Sequence, residues 1–297
     1  MKITYPIPFQ SNQTIHQLLQ TNLFFSTRLL SKLIKEQKIY LDGIPVDTRL
    51  IGLPDQVITI DLSSPEDNSH VVPCNMDLSI IYEDEWLLVI NKPTGIPTHP
   101  SMLHYQDSLS NGVRYYFDSI GLSKKIRPVN RLDTNTSGLV IFAKCEYIQE
   151  CLAKQKENGE FTKKYLAVTS GSFSQKQGTI VAPIGRKQGS IIERCIDFET
   201  GQPSITHYEI RKEGKQNGKE YSLVTCTLET GRTHQIRVHM AYLGHSLLGD
   251  TLYGNDTSLI NRQALHCYEM TFYHPITHAP TTFVCPLPAD MKQLCDF

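Results

Sequence analysis

A single stretch constrains this chain more than any other. Ser63 to Asn75, SSPEDNSHVVPCN, is polar, carries two prolines, and follows neither the period of a strand nor that of a helix. No continuous core runs through such a segment. It therefore reads as a linker over 63–75, separating a small module over 1–62 from a larger body over 76–297. With 297 residues, 40% hydrophobic and 20% charged, the chain has enough apolar material to bury a full core, which excludes wholesale disorder.

In the N-terminal module, Thr27 to Gln37 has the spacing of an amphipathic helix. Leu29, Leu30, Leu33 and Ile34 fall on one side, and Arg28, Lys32, Lys35 and Lys38 on the other. Ile39 to Val46 then predicts two short strands around an Asp42-Gly43 turn, with Val57 to Ile60 closing a small sheet.

In the body, Ser79 to Tyr82 and Trp86 to Ile90 read as a strand pair around an acidic turn. Leu139 to Ala143, Tyr165 to Thr169, His207 to Arg211 and Ser222 to Leu228 read as further strands. Helices are expected over Gln106–Ser119, Glu146–Lys156 and Thr233–Leu243, the last stopped by Gly244. The charged run Lys212–Glu220 reads as a solvated hairpin tip. Strands come in groups instead of alternating strictly with helices, so the pattern predicts an α+β fold around a mixed, mainly antiparallel sheet.

Charge alone names no partner. Lys plus Arg total 29 against 30 Asp plus Glu, so any attraction for phosphate depends on local clustering of basic groups. The eight cysteines, at 74, 145, 151, 195, 226, 267, 285 and 295, include no C-x-x-C pair, which argues against a zinc ribbon or a redox pair. The opening MKITYPIPFQ lacks the apolar stretch of a signal peptide, and no run of about 18 apolar residues exists. A cytoplasmic protein with reduced thiols, no membrane span and a monomeric state is the expectation.

Four stretches carry candidate chemistry. Arg127 to Lys144, RPVNRLDTNTSGLVIFAK, places Asp133 in a polar turn that leads into a buried strand, where a carboxylate sits at a cleft rim or merely closes the turn. Thr230 to Gly254, TGRTHQIRVHMAYLGHSLLGDTLYG, holds Arg232 and Arg237 near the start of a helix. His234 and His239 lie five apart, which is not the i, i+4 spacing of a helical zinc pair, so no metal is expected. Lys163-Lys164-Tyr165 opens a strand. Asn91-Lys92-Pro93 ends one.

Taken in order, INKPTGIPTHP, RPVNRLDTNTSGLVIFAK, KKYLAV, GTIVAPIGR, LETGRTHQIRVHMAYLGHSLLGDTLYG and ALHCYEMTFYHPIT resemble the RluA-type RNA pseudouridine synthases across nearly all of residues 78–290. The resemblance implies that Asp133 is the carboxylate that promotes cleavage of the uridine glycosidic bond. It implies that Arg237 pairs with it, and that Tyr165 packs on the uracil and serves as base or relay for the proton on carbon-5. By the same resemblance Arg131 would fill or approach the space left when the target nucleotide leaves the stack, and Arg232 and Lys92 are candidates for phosphate contact. The family usually has His where this chain has Asn130. The first 62 residues resemble, with fewer signature positions, an alpha-L RNA-binding domain, whose basic helix would present Arg28, Lys32 and Lys35 to RNA.

The implied partner is RNA, ribosomal RNA of the large subunit ahead of transfer RNA, and the reaction needs no cofactor because it is a redox-neutral rearrangement. No phosphate-binding G-x-x-x-x-G-K-[ST] or G-x-G-x-x-G spacing is present. Two other readings remain open on these residues. One is an RNA- or ribosome-binding protein of the same fold without activity. The other is a glycosidase, for which a second carboxylate about 5 Å from the first would be needed; Asp250, in a turn, has no evident part in such a pair.

Overall fold

The structure, a computed structural model, describes residues 1–9 and 11–294. Cys295 lies outside the described residues. The N-terminal module consists of β1 (Lys2–Pro6), α1 (Ile15–Thr21), α2 (Thr27–Lys35), β2 (Ile39–Leu41), β3 (Ile44–Pro45) and β4 (Val57–Asp61). Its strands form a four-stranded sheet in the order β1-β4-β2-β3. Helix α1 starts at a capping box, in which the Thr14 hydroxyl accepts from the Gln17 amide and the Gln17 side chain accepts from the Thr14 amide. In α2, Leu29, Leu30 and Leu33 are buried, each by about 1.5–3 kcal/mol more stable than if exposed. Ile34, expected on the same face, is 39% exposed in the last turn of the helix.

The body follows: β5 (Ile80–Glu83), β6 (Leu87–Lys92), α3 (Leu109–Ser119), β7 (Arg127–Pro128), β8 (Ser137–Ala143), α4 (Glu146–Glu157) and β9 (Thr162–Ser170). After these come β10 (Gln177–Val181), β11 (Ile184–Arg186), β12 (Arg194–Ile196), β13 (Ile205–Gln216), β14 (Lys219–Leu228), α5 (Gln235–Tyr242), β15 (Leu265–Tyr273), β16 (Pro280–Val284) and α6 (Ala289–Leu294). Eight strands run in the order β10-β13-β14-β9-β15-β8-β6-β5, with β16 joined to β15 and β7 to β8. Among the described residues only the β15–β8 pair is parallel, so the sheet is mixed and mainly antiparallel and the fold is α+β. All seven residues of β8 are buried, as are Leu87 to Ile90 of β6, which marks this side of the sheet as covered on both faces. Gly138 is required there. A Cβ at that position would meet the backbone of Cys267 at 2.2 Å.

The run Lys212–Glu220 is more ordered than its charge suggested. Strands β13 and β14 continue through it to a turn at Asn217 and Gly218, both with positive φ. Segment 63–75 contains no helix or strand, yet it is fastened to the body. The Arg127 guanidinium donates to both oxygens of Glu66 at 2.6 and 2.8 Å, Asn68 Oδ1 accepts from the Ile126 amide, and Asn111 Nδ2 donates to the Val72 carbonyl. The N-terminal module packs on α4. Phe25 stacks on Tyr147 with ring centroids 4.3 Å apart, the Ser26 hydroxyl donates to Glu150, and the terminal ammonium of Met1 pairs with Glu85. Among the described residues no helix is long and apolar enough to cross a membrane.

Candidate active site

The chemistry-bearing stretches converge at one cleft. Asp133 lies in the turn between β7 and β8, Tyr165 in the middle strand β9, and Arg237 on the first turns of α5; all three line a cleft of about 420 Å³. The turn is held from several sides. The Thr136 amide donates to the Asp133 carbonyl, and the Thr98 hydroxyl both donates to the Leu132 carbonyl and accepts from its amide. Asn130, buried beside it, uses its side chain as a piece of backbone, donating to the Leu139 carbonyl and accepting from the Ile141 amide. Position 130 thus holds the strand before Asp133 against β8 through two hydrogen bonds.

Lys92 also serves this turn, and here the expectation of a phosphate contact is corrected. Its side chain has no exposed surface, and its ammonium donates to the carbonyls of Pro93, Ile96 and Thr134 at 2.8–3.0 Å. A group so enclosed cannot meet a phosphate. Instead it ties the loop after β6 to the turn bearing Asp133. Burial pushes its pKa down to about 7, with the nearby Asp133 carboxylate opposing that shift.

Arg237 is shared by two aspartates of unequal standing. Its Nε and Nη2 make a bidentate pair with Asp250 at 2.7 and 2.8 Å, and Asp250 is wholly buried. The remaining Nη1 reaches Asp133 Oδ2 at 3.3 Å. Asp250 also accepts from the amides of Leu252 and Tyr253, so its oxygens are committed. Asp133, with a side chain 27% exposed, is the one of the pair open to the cleft. Asp250, which faces an arginine and no solvent, cannot serve as the second carboxylate of a glycosidase.

His234, Lys156 and Lys163 also line the cleft, with Tyr253 behind His234, and sequence reasoning gave none of them a part in the site. His234, in the left-handed region at φ 58°, places Nε2 3.8 Å from Asp133 Oδ2 and Nδ1 2.8 Å from the Tyr253 hydroxyl. Burial lowers its pKa, Asp133 opposes this, and the cations Arg237 and Arg194 add to it. Tyr253 also stacks under the Arg237 guanidinium at 5.1 Å. On the opposite side, Lys156 lies 5.2 Å over the Phe161 ring and Lys163 approaches Gly231; burial pushes Lys156 down to about 8 and lowers Lys163 as well. Lys163 was visible in the KKY triplet. Tyr253 and Asp250 were visible only as a turn.

Tyr165 is almost fully buried and pairs across the ladders with Cys226 and Cys267, next to an irregularity in β15. Burial, the adjoining Cys267 thiol and the Asp133 carboxylate all push its hydroxyl well above the usual tyrosine range, so it is a neutral phenol. Arg131 and Arg232 are exposed at the cleft mouth, the first donating to the Thr233 hydroxyl at 2.9 Å and the second to the Pro203 carbonyl at 3.2 Å. The residues of the N-terminal helix lie elsewhere. Arg28 is 4.0 Å from Glu146, Lys32 is 3.9 Å from Glu66, and Lys35 is exposed; none lines the cleft.

Comparison with known proteins identifies the family. The family model described as RNA pseudouridylate synthase matches residues 86–242. The chain is 39% identical over 287 residues to a Bacillus subtilis (strain 168) protein named uncharacterized RNA pseudouridine synthase YhcT, covering 96% of this chain and 93% of that one. It is 32% identical over 284 residues to ribosomal large subunit pseudouridine synthase D of Xylella fastidiosa, covering 91% and 84% respectively. Among solved structures, human RNA pseudouridylate synthase domain containing 1 superposes with a TM-score of 0.59 at 28% identity, covering 71% of this chain and 84% of that one. On the matched residues and the fold around them, this chain belongs to the RNA pseudouridine synthase family, isomerases that act on RNA.

Proposed function

We propose that this enzyme converts specific uridines of large-subunit ribosomal RNA to pseudouridine in the cytoplasm, with Asp133 as the reacting carboxylate. One observation carries the assignment: Asp133 alone of the two aspartates on Arg237 opens to the cleft, while Asp250 anchors the arginine behind it. A carboxylate so placed is aimed into the cleft by its ion pair with Arg237. In the reaction the C1′–N1 bond breaks, the freed uracil turns, C1′ bonds to C5, and the proton leaving C5 is replaced by one at N1. Tyr165 packs against the ring. As a neutral phenol it relays a proton and does not act as a preformed base. Arg131 at the mouth takes the place of the extruded nucleotide.

The ribosomal preference rests on the similarity to ribosomal large subunit pseudouridine synthase D and on the module over 1–62, read as an RNA-binding domain joined by 63–75 to a catalytic domain over 76–297. Arg28, Lys32 and Lys35 give that module a basic side. The deciding experiment maps pseudouridine in ribosomal and transfer RNA from matched strains with and without the gene, by carbodiimide labelling and primer extension. Loss of large-subunit sites, restored by the wild type and not by Asp133→Asn, supports the reading. Loss confined to transfer RNA would move the substrate, and full persistence of every site would count against the assignment.

A further inference from the structure

Of the eleven arginines in this chain, seven have a carboxylate within 4.0 Å: Arg28, Arg49, Arg114, Arg127, Arg211, Arg237 and Arg262. The other four, Arg131, Arg186, Arg194 and Arg232, find no carboxylate among the described residues, and all four line one groove of about 470 Å³. Two of them come from the β11–β12 hairpin, where Arg186 and Arg194 stand directly opposite each other. Like charges in that register destabilise a two-stranded ribbon unless an anion lies between them. Their polar contacts are sparse. The Arg194 guanidinium reaches only the carbonyl of Glu193 at 3.4 Å, and the Arg186 guanidinium has no hydrogen-bond partner among the described residues. The one carboxylate lining the groove, Asp197, is taken up by the amides of Glu199 and Thr200 and the Thr200 hydroxyl.

The groove is continuous with the catalytic cleft through Arg131, Gly231, Arg232 and Thr233, which line both. Its far wall is also fixed relative to Asp133. The Arg194 amide donates to the Tyr253 hydroxyl at 2.8 Å, that hydroxyl bonds His234 Nδ1, and His234 Nε2 lies 3.8 Å from Asp133. An RNA strand whose target nucleotide enters the cleft must carry its neighbouring phosphodiesters out past the rim.

We infer that the strand beside the target uridine runs through this groove, with consecutive phosphodiesters held by Arg186 and Arg194 of the hairpin and by Arg131 and Arg232 at the cleft mouth. The inference rests on the reading of the Asp133 cleft as the site of RNA isomerisation and extends it to the flanking strand. Guanidinium forks match phosphate oxygens in pairs, and such contacts set register without reading sequence. The hairpin is therefore a positioning arm that fixes how far along the strand the reacting nucleotide sits.

The test uses the full-length protein and an unmodified transcript of large-subunit ribosomal RNA, with filter binding between about 50 and 200 mM salt and release of tritium from carbon-5-labelled uridine in single turnover. Arg186→Gln with Arg194→Gln is expected to weaken binding about 10- to 100-fold and to make the salt slope shallower by about 1.5. The single-turnover rate at saturating RNA should stay within about threefold of wild type. Arg186→Lys with Arg194→Lys should keep the slope. Arg186→Gln alone removes no contact of the folded state, so it folds whatever the pair does, and it should lower the slope by about 0.7. A wild-type slope in Arg186→Gln, or in the folded double variant, overturns the inference. Absence of tritium release by the wild type would instead count against the functional reading, while the slopes would still decide the groove.

Discussion

The basic side of helix α2 and the groove beside the hairpin are built from the same residue types and stand in opposite electrostatic situations. On α2, Arg28 faces Glu146 of the body and Lys32 faces Glu66 of the linker. At the groove, four arginines gather with no carboxylate within 4.0 Å of their guanidiniums, and the one carboxylate in the lining, Asp197, is held by its own turn. Lys92 is the limiting case of the first kind, with its charge turned entirely onto three carbonyls. A cation counted along a sequence is not a cation available to phosphate. What an RNA strand meets is the charge that the fold has left unmatched, and in a chain of net charge −1 that remainder is local.

If that distinction is right, substitutions at matched and unmatched charges should separate cleanly. The most severe loss belongs to the open carboxylate itself: Asp133→Asn should lower turnover more than about 10³-fold while RNA affinity barely changes, because the group acts in the transition state. Turnover within about tenfold of wild type would remove Asp133 from its role. Its buried counterpart should fail differently. Asp250→Ala leaves the Arg237 guanidinium buried without its bidentate partner, so it should cost about 3–5 kcal/mol in urea unfolding and take activity with it. A stable, inactive Asp250→Ala would show that the pair aims Asp133 without supporting the fold.

Lys92→Met should leave the RNA salt slope untouched but cost about 3 kcal/mol of stability, since three carbonyls lose their donor. Its pH signature has a definite sign. Burial lowers the folded pKa to about 7 from the usual 10.5, so over that window the unfolded chain binds more protons, and this residue's contribution raises stability as pH rises. Urea midpoints at about pH 7 and pH 9 should therefore diverge more in wild type than in Lys92→Met. A reduced salt slope in this variant would break the contrast. The smallest effect is expected on α2. Arg28→Gln, Lys32→Gln and Lys35→Gln together should weaken RNA binding by less than about threefold, measured by the same filter assay. A loss as large as that of the hairpin pair would make the N-terminal module the principal contact.

Much of the scaffold was legible locally. The helices at α2, α3, α4 and α5 and the strands β6, β8, β9 and β14 follow from periods of 3.6 or two and from their caps, as does the α+β class. Strand β15 was not legible, although it lies between β9 and β8 at the heart of the sheet. Its sequence, LHCYEMTFY, hides a buried histidine: His266 is enclosed because its Nδ1 meets the Ser137 hydroxyl and its Nε2 the Cys285 thiol. Buried polar groups satisfied across the sheet erase the apolar signal a strand reading depends on. The hairpin β11–β12 was missed for the opposite reason, being three residues to a strand and polar on its exposed side.

At the site, the sequence by itself determined the order of the candidate residues and the local elements that bear them, a turn for Asp133, a strand for Tyr165 and a helix start for Arg237, because such elements are set locally. It determined the residue types available for phosphate as well. Only the tertiary structure decided that Arg237 is clamped by Asp250 and merely touches Asp133, that Asn130 replaces a backbone pairing, that Lys92 faces inward, and that four arginines without a carboxylate partner share a groove. The reason is that backbone periodicity is set within a few residues along the chain, whereas burial and the pairing of charges are settled through space, between residues as far apart as Asp133 and Arg237.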